Sequence, residues 1–215
     1  MRKAIKPGEV FAILLAVISI APFCYVLILS FLPAGGGITF DYYYDVFLGS
    51  PQYLLRFWKS MGICLCIVAG QLVVSVLAGY GFAKCEFKGR DAILFVLMIL
   101  MVLPLQVTLA PNYIMLDKLG LLDTYSALIL PSIFVPLGTF ILTQSFKSVS
   151  DDIIDAAKLD GCGLFRLLTK IILPMNTSGL VCVTLLSFLD GWNMVEQPIA
   201  YIKDFLRYPL SVALA

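Results

Sequence analysis

The chain has 215 residues, 60% hydrophobic and 13% charged, with a net charge of +1 and a mean hydropathy of +0.97. Soluble domains carry about twice that charge, so the composition excludes an ordinary soluble domain. Long apolar runs set the class as an all-α polytopic membrane protein, and the absence of histidine removes imidazole acid–base chemistry and His-ligated metals.

Five apolar segments are each long enough to cross a hydrocarbon core, near 10–32, 60–83, 91–111, 125–146 and 174–199. The first follows Arg2, Lys3 and Lys6 but outruns a signal-peptide h-region and ends at Phe31-Leu32-Pro33, which predicts an uncleaved anchor. Segment 33–58 contains Gly35-Gly36-Gly37 and Tyr42-Tyr43-Tyr44, the tyrosines reading as interfacial anchors. In the second span Ser75, Gly79 and Ala83 form a small-xxx-small stripe suited to close helix contact. Pro104, Pro131 and Pro136 fall inside later spans and are expected to kink them. Cysteines 24, 64, 66, 85, 162 and 182 lack metal-ligand spacing and read as buried small hydrophobes.

Basic residues orient the spans. With the N-terminus inside, ten Lys and Arg side chains lie in the cytoplasm, including Lys84, Lys88 and Arg90 in one tight turn, and five lie outside. The loop 147–173 is then cytoplasmic.

That loop is the most informative stretch. Ser148-Val149-Ser150-Asp151 has the spacing of a helix N-cap, and Asp151 and Asp152 suit the positive end of the helix. A helix from about 151 to 159 is expected to carry Asp151, Asp155 and Lys158 on one face and Ile153, Ile154 and Ala157 on the other. Gly161 then supplies a left-handed residue that ends it. A second helix is expected with Leu164, Phe165, Leu168, Ile171 and Ile172 on one stripe, closed by Pro174, which opens the fifth span.

Asp155-Ala156-Ala157, Gly161 and Ile171-Ile172-Leu173-Pro174 together resemble the EAA signature of ABC importer permeases, with Asp155 in place of the usual Glu. Further matches lie in order: Ile38-Thr39-Phe40-Asp41, Phe57-Trp58-Lys59-Ser60, Phe87-Lys88-Gly89-Arg90, Leu119 to Tyr125, Leu128 to Pro131, Phe188, Trp192-Asn193, Pro198 and Tyr208-Pro209-Leu210. Relatives usually carry Asn at the position of Lys59. The chain thus resembles carbohydrate-importer permeases related to the second membrane subunit of the maltose transporter.

The resemblance implies a type I ABC importer transmembrane fold, with an N-terminal span and outer segment over 1–56 and a transmembrane domain over 57–215. Five spans stand where relatives have six, so a truncated chain is expected. The resemblance also implies partners: a second permease subunit, two ATPase subunits, an extracytoplasmic binding protein and membrane lipid, with no nucleic acid. Asp155, Ala156, Ala157, Gly161, Ile171, Leu173 and Pro174 would carry the contact to the ATPases, Asp155 by a salt bridge. The chain itself would bind no cofactor and catalyse no reaction, ATP and Mg being used by the ATPases; its sequence has no GxxxxGK[ST] phosphate cradle. The place would be the bacterial inner (plasma) membrane, and the solute a sugar or oligosaccharide, or in the alternative a solute such as glycerol phosphate. A secondary ion-coupled transporter would need carboxylates near the midplane, and the spans before Asp190 have essentially none at depth.

Asp190, Trp192, Asn193 and Glu196 are candidate substrate-pathway residues. In a straight helix from Pro174, Asp190 would lie roughly 24 Å along, at ~1.5 Å per residue, near the outer interface. Trp192 and Asn193 would offer an aromatic face and an amide.

Overall fold

The computed structural model describes residues 7–32, 37, 39–49 and 51–215; Arg2, Lys3, Lys6, Gly35, Gly36 and Ile38 lie outside the described residues. The chain divides into two units, Met1–Leu55 and Arg56–Ala215.

In the first unit α1 runs Pro7–Phe31, with Pro22 inside it. A short helix α2, Asp41–Tyr44, continues into a π-helical turn, Asp45–Gly49. The chain folds back onto the end of α1: Thr39 N donates to Phe31 O at 3.0 Å, and the Ser30 and Tyr43 hydroxyls share a hydrogen bond of 2.7 Å. Tyr43 also stacks on Phe31 with centroids 5.2 Å apart. At least this tyrosine therefore clasps a helix end.

The second unit is built on α3, Pro51–Lys84, whose first residues precede the division. After a left-handed Gly89, α4 spans Arg90–Val102 and α5 spans Leu105–Lys118. The third expected span is not a kinked helix, because α4 and α5 meet at 104°. Pro104 explains the difference: it pushes Leu103 into extended backbone (φ −67°, ψ 128°), from which a helix cannot run on. The fourth span is interrupted more mildly between α6, Ser126–Ile133, and α7, Pro136–Lys147, where Val135 is extended and Pro136 takes the first helical position.

Beyond α7 come α8, Asp151–Leu159, and α9, Leu164–Leu167, the latter continuing through a π-helical turn at Leu168–Ile172 into α10, Leu173–Met175. Then α11 spans Thr177–Trp192, α12 Glu196–Tyr201 and α13 Leu210–Leu214, with a 3₁₀ turn at Phe205–Arg207. The fifth span is thus shorter than expected. The break falls at Asn176, two residues past Pro174, and the helices on either side meet at 86°. Among the described residues three segments are candidates to cross a membrane without a sharp bend: Ile13–Phe31, Pro51–Lys84 and Ser126–Lys147. The two bent pairs would make five.

Two apolar clusters hold the second unit. One joins Ile63 and Ile67 of α3 to Leu116, Leu128, Met194, Tyr201 and Ile202. The other, towards the opposite end of α3, joins Tyr80 to Leu142, Phe146, Ile154, Leu167, Leu168, Ile172 and Val183. Between α3 and α7 the small-residue stripe makes its expected close contact. A Cβ at Gly79 would lie 3.0 Å from Leu142 Cβ, and one at Gly138 would lie 2.5 Å from Ser75 Oγ.

Polar contacts separate the same two ends. Lys59 Nζ donates to Leu206 O, Leu210 N donates to Ser60 Oγ, and Asp123 accepts from Lys203 N and Asp204 N. Lys84 meets Asp151 at the other end. Among the described residues, Lys59, assigned by sequence to one side, and Lys84, assigned to the other, accordingly lie in different groups at opposite ends of α3. Of the cysteines only Cys64 is buried; Cys24, Cys66 and Cys182 are exposed on helices whose apolar side chains are free to face outward, and Cys85 is exposed in the turn after α3.

Candidate functional site

The site is built on α8. A nine-residue helix is marginal alone in water, so its ends and its buried face must hold it. Ser150 is the N-cap, its Oγ accepting from Asp152 N at 3.3 Å, and Asp151 and Asp152 stand at the positive end of the helix dipole. At the other end Gly161 adopts φ +75°. Gly161 N donates to Lys158 O and Cys162 N to Ala157 O, both at 2.9 Å. This pair of bonds is a Schellman motif, which needs a left-handed residue where Gly161 stands.

The buried face consists of Ile154, 3% exposed, and Ala157, 8% exposed. Ile154 alone contributes about 1.5–3 kcal/mol by leaving water. Both enter the cluster formed by α3, α7, the α9 segment and α11. Ile153, expected beside them, is 39% exposed; four residues before Ala157, it flanks the buried stripe at its solvent edge. The outer face carries Asp155, Ala156 and Leu159, the last 90% exposed. Asp155 Oδ1 accepts from Lys158 Nζ at 3.0 Å, and this carboxylate pushes the ammonium above its usual 10.5. An exposed pair of this kind is worth little, so either group can exchange its partner at small cost.

The second helix departs from its expected stripe. Leu167, Leu168 and Ile172 are buried, whereas Leu164 and Phe165 are exposed at 57% and 81%. The π-helical turn is the reason. Pro174 offers no N–H to the ladder, Leu173 N reaches back to Leu168 O, and the extra residue in that turn shifts the phase of everything before it. Ile171 and Leu173 are half-buried against the cluster, and Pro174 is exposed. The motif residues therefore divide. Asp155, Ala156 and Pro174 face outward, Gly161 shapes the turn, and Ala157, Ile171 and Leu173 pack inward.

Two residues that fix this element were not singled out by sequence. Asn176 is buried at the break, its Nδ2 donating to Ile172 O and its Oδ1 accepting from Ser145 Oγ, both at 2.8 Å. An Asn directly after Ile-x-Leu-Pro-Met was the available signal. The other is Lys84, whose side chain is 6% exposed and whose Nζ lies 2.7 Å from Asp151 Oδ1.

The hydrogen bond from Lys84, and then its charge, hold the Asp151 carboxyl below its usual 3.8. Because the folded value is the lower one, this contribution to stability is complete above the usual carboxylate range and is lost as pH falls through the depressed value. A carboxyl-carbon NMR titration, assigned with Asp151→Asn, is expected to give a midpoint below 3.8. In Lys84→Met the midpoint should return to the ordinary range; an unchanged midpoint there would mean that Lys84 is not the cause.

The four pathway candidates are not brought together. Asp190 lines a narrow crevice with Gln71, Gly138 and Ser187. Trp192 packs on Phe57 and Phe188, with centroids 5.6 and 5.7 Å away. Asn193 Nδ2 donates to Leu189 O in its own helix, and Glu196 accepts from Gln106 Nε2 at 2.9 Å. Because α11 starts at Thr177, Asp190 lies roughly 20 Å along it, at ~1.5 Å per residue. Among the described residues no group of three or more Cys, Asp or Glu forms a metal site.

Comparison with known proteins bears on the whole arrangement. The family described as "Binding-protein-dependent transport system inner membrane component" matches residues 71–195, which include all of α8 and α11. The chain is 30% identical over 178 residues to the arabinooligosaccharides transport system permease protein AraQ of Halalkalibacterium halodurans, covering 83% of this chain and 64% of that protein. It is 29% identical over 155 residues to the sn-glycerol-3-phosphate transport system permease protein UgpE of Yersinia pestis, covering 72% and 55%. The chain thus spans less than two thirds of these relatives' length. A crystal structure of a bacterial ABC transporter involved in the import of the acidic polysaccharide alginate contains a chain with the same fold. The TM-score is 0.83 at 23% identity, covering 96% of this chain and 78% of that one.

Proposed function

The chain belongs to the family of binding-protein-dependent transport system inner membrane components, and on that premise we propose that it is a permease subunit of an ATP-driven importer of sugars or oligosaccharides. In this reading it pairs with a second permease, receives solute from an extracytoplasmic binding protein and meets the ATPase subunits through α8 on the cytoplasmic side. ATP is hydrolysed by those partners and not by this chain.

One observation carries the coupling role. The inner face of α8 is locked into a cluster shared with α3, α7 and α11, while Asp155, Ala156 and Leu159 on the outer face lack cover. A force applied to that face passes into three long helices through packed side chains. The small Ala156 admits a partner's surface, and Asp155 trades Lys158 for a basic residue there. Ala157, Ile171 and Leu173 serve the same joint from behind, as its seat. The relative of lesser coverage, a glycerol-phosphate permease, supports a second reading with a phosphorylated solute.

The test is reconstitution in proteoliposomes with a second permease, ATPase subunits and a binding protein. Arabinotriose is expected to stimulate ATP hydrolysis severalfold, and uptake should survive an ionophore that collapses the ion gradients. Stimulation by sn-glycerol 3-phosphate alone would favour the second solute class. Uptake that persists without ATP and stops with the ionophore would overturn the ATP-driven reading in favour of a secondary transporter.

A further inference from the structure

Lysine is almost never fully buried unless it is paired, yet the Lys84 side chain is 6% exposed. It is the last residue of α3, one turn after Tyr80 of the cluster that seats α8. Its ammonium donates to two acceptors on another part of the chain, Val149 O at 2.5 Å and Asp151 Oδ1 at 2.7 Å. Val149 sits in the connection between α7 and α8, with its own N–H turned back to Phe146 O. Asp151 is the first residue of α8. One ammonium therefore fastens the end of a long membrane helix to the residues from which α8 starts.

We propose that Lys84 is a positioning residue of the coupling joint, tying the start of α8 to α3 so that a displacement of α8 moves α3 directly. Among the described residues α8 is otherwise held along the chain, by the short segment from α7 and the Gly161 turn into the α9 segment, and by its apolar contacts to the cluster. Apolar contacts such as those of Ile154 can slide, whereas a two-acceptor bond to a buried ammonium fixes distance and direction. The two acceptors are not equal. The Asp151 side chain is 80% exposed, so solvent screens that ion pair. The bond to the Val149 carbonyl, made by a side chain shielded from water, is the more sensitive of the two, and loss of Lys84 outweighs loss of the Asp151 charge.

This inference rests on the coupling role of α8, and the experiment separates the two. Hydrogen exchange is followed in the full assembly, nucleotide-free and trapped with ATP and vanadate, for wild type, Lys84→Met, Lys84→Arg and Asp151→Asn. At rest, Lys84→Met is expected to raise exchange of the α8 amides about tenfold, the scale of losing a hydrogen bond to a charged group. The α11 amides should stay unchanged, Asp151→Asn should have a smaller effect and Lys84→Arg should restore protection. On trapping, wild type should show altered exchange at the C-terminal end of α3, and Lys84→Met should lose that response while α7 keeps its own. Wild-type exchange of α8 in Lys84→Met, or an intact trapping response in its α3, overturns the proposal. A wild-type assembly whose α8 does not respond to nucleotide at all overturns the coupling reading instead, and exchange at rest then decides whether Lys84 still anchors α8.

Discussion

Replacing Gly161 with Val is expected to uncouple transport from ATP hydrolysis while leaving the chain inserted and the spans packed. Gly161 holds φ +75°, and a Cβ built there meets nothing within 4 Å. The penalty is therefore wholly one of backbone, about 1–2 kcal/mol for a side chain forced into the left-handed region and more for a β-branched one. The chain escapes that strain by turning out of it, which breaks the two 2.9 Å bonds from Gly161 N and Cys162 N that close α8. The turn then no longer fixes the direction in which α8 meets the α9 segment. Since the strain lies outside the spans, insertion is untouched.

The effect should be graded by tolerance of left-handed backbone. Asn should be mildest, Ala intermediate and Val most severe, with uptake per ATP hydrolysed falling about tenfold or more in Val, as a loss of 1.4 kcal/mol implies. Proteoliposome uptake measured beside ATP hydrolysis checks this. Solute-stimulated hydrolysis and uptake at wild-type levels in Gly161→Val would remove the turn from the coupling machinery.

How legible this joint was in the sequence depends on the range of the interactions that make each part. The bounds of α8, its cap and its Gly161 stop are set by residues within four positions of each other. Sequence reading placed the bounds and the stop, while the cap read in the Ser148-to-Asp151 spacing falls on Ser150, Ser148 instead ending α7. The outward Phe165 and the buried Leu167 were misjudged because helical phase was extended through a segment containing a π-helical turn, and one extra residue there rotates everything upstream of it. The right-angle breaks at Pro104 and Asn176 were read as a simple kink and as a start at Pro174. A proline warns that the ladder is interrupted, but the size of the bend is decided by what the two halves pack against. Lys84 was informative in the sequence only as a positive charge. Its anchoring role depends on a contact across 67 positions, which no local pattern encodes. The stripe Ser75, Gly79 and Ala83 announced a close helix contact without naming the partner, which proves to be α7.

That contact supplies the second large effect, and here distances alone mislead. A Cβ at Gly70 would come within 2.5 Å of Ile133 Cδ1, nearer than any atom facing Gly79. Yet the close atoms there, Ile133 Cδ1 at 2.5 Å and Cγ1 at 2.7 Å, belong to one side chain and not to a backbone. Relief needs that stiff β-branched side chain to shift but leaves the helices in place, and Ala is the better helix former by up to about 1 kcal/mol. Gly70→Ala should accordingly cost less than Gly79→Ala. At Gly79 the nearest atoms are Leu142 Cβ at 3.0 Å, Thr143 N at 3.2 Å and Leu142 C at 3.3 Å. Two belong to the backbone of α7 and the third is fixed to it, so relief requires the helices to move apart. Overpacking of this kind costs about 1–3 kcal/mol, enough to outweigh the propensity gain for Ala and still more so for anything larger. Separation of α3 from α7 would also open the cluster of Tyr80, Leu142 and Phe146 on which Ile154 rests, so the seat of α8 goes with it. Gly79→Val is expected to leave little folded protein in detergent and Gly79→Ala to melt below wild type and below Gly70→Ala. Thermal melts that rank Gly70→Ala as more damaging than Gly79→Ala would show that side-chain crowding, and not backbone approach, governs how closely α3 and its neighbours pack.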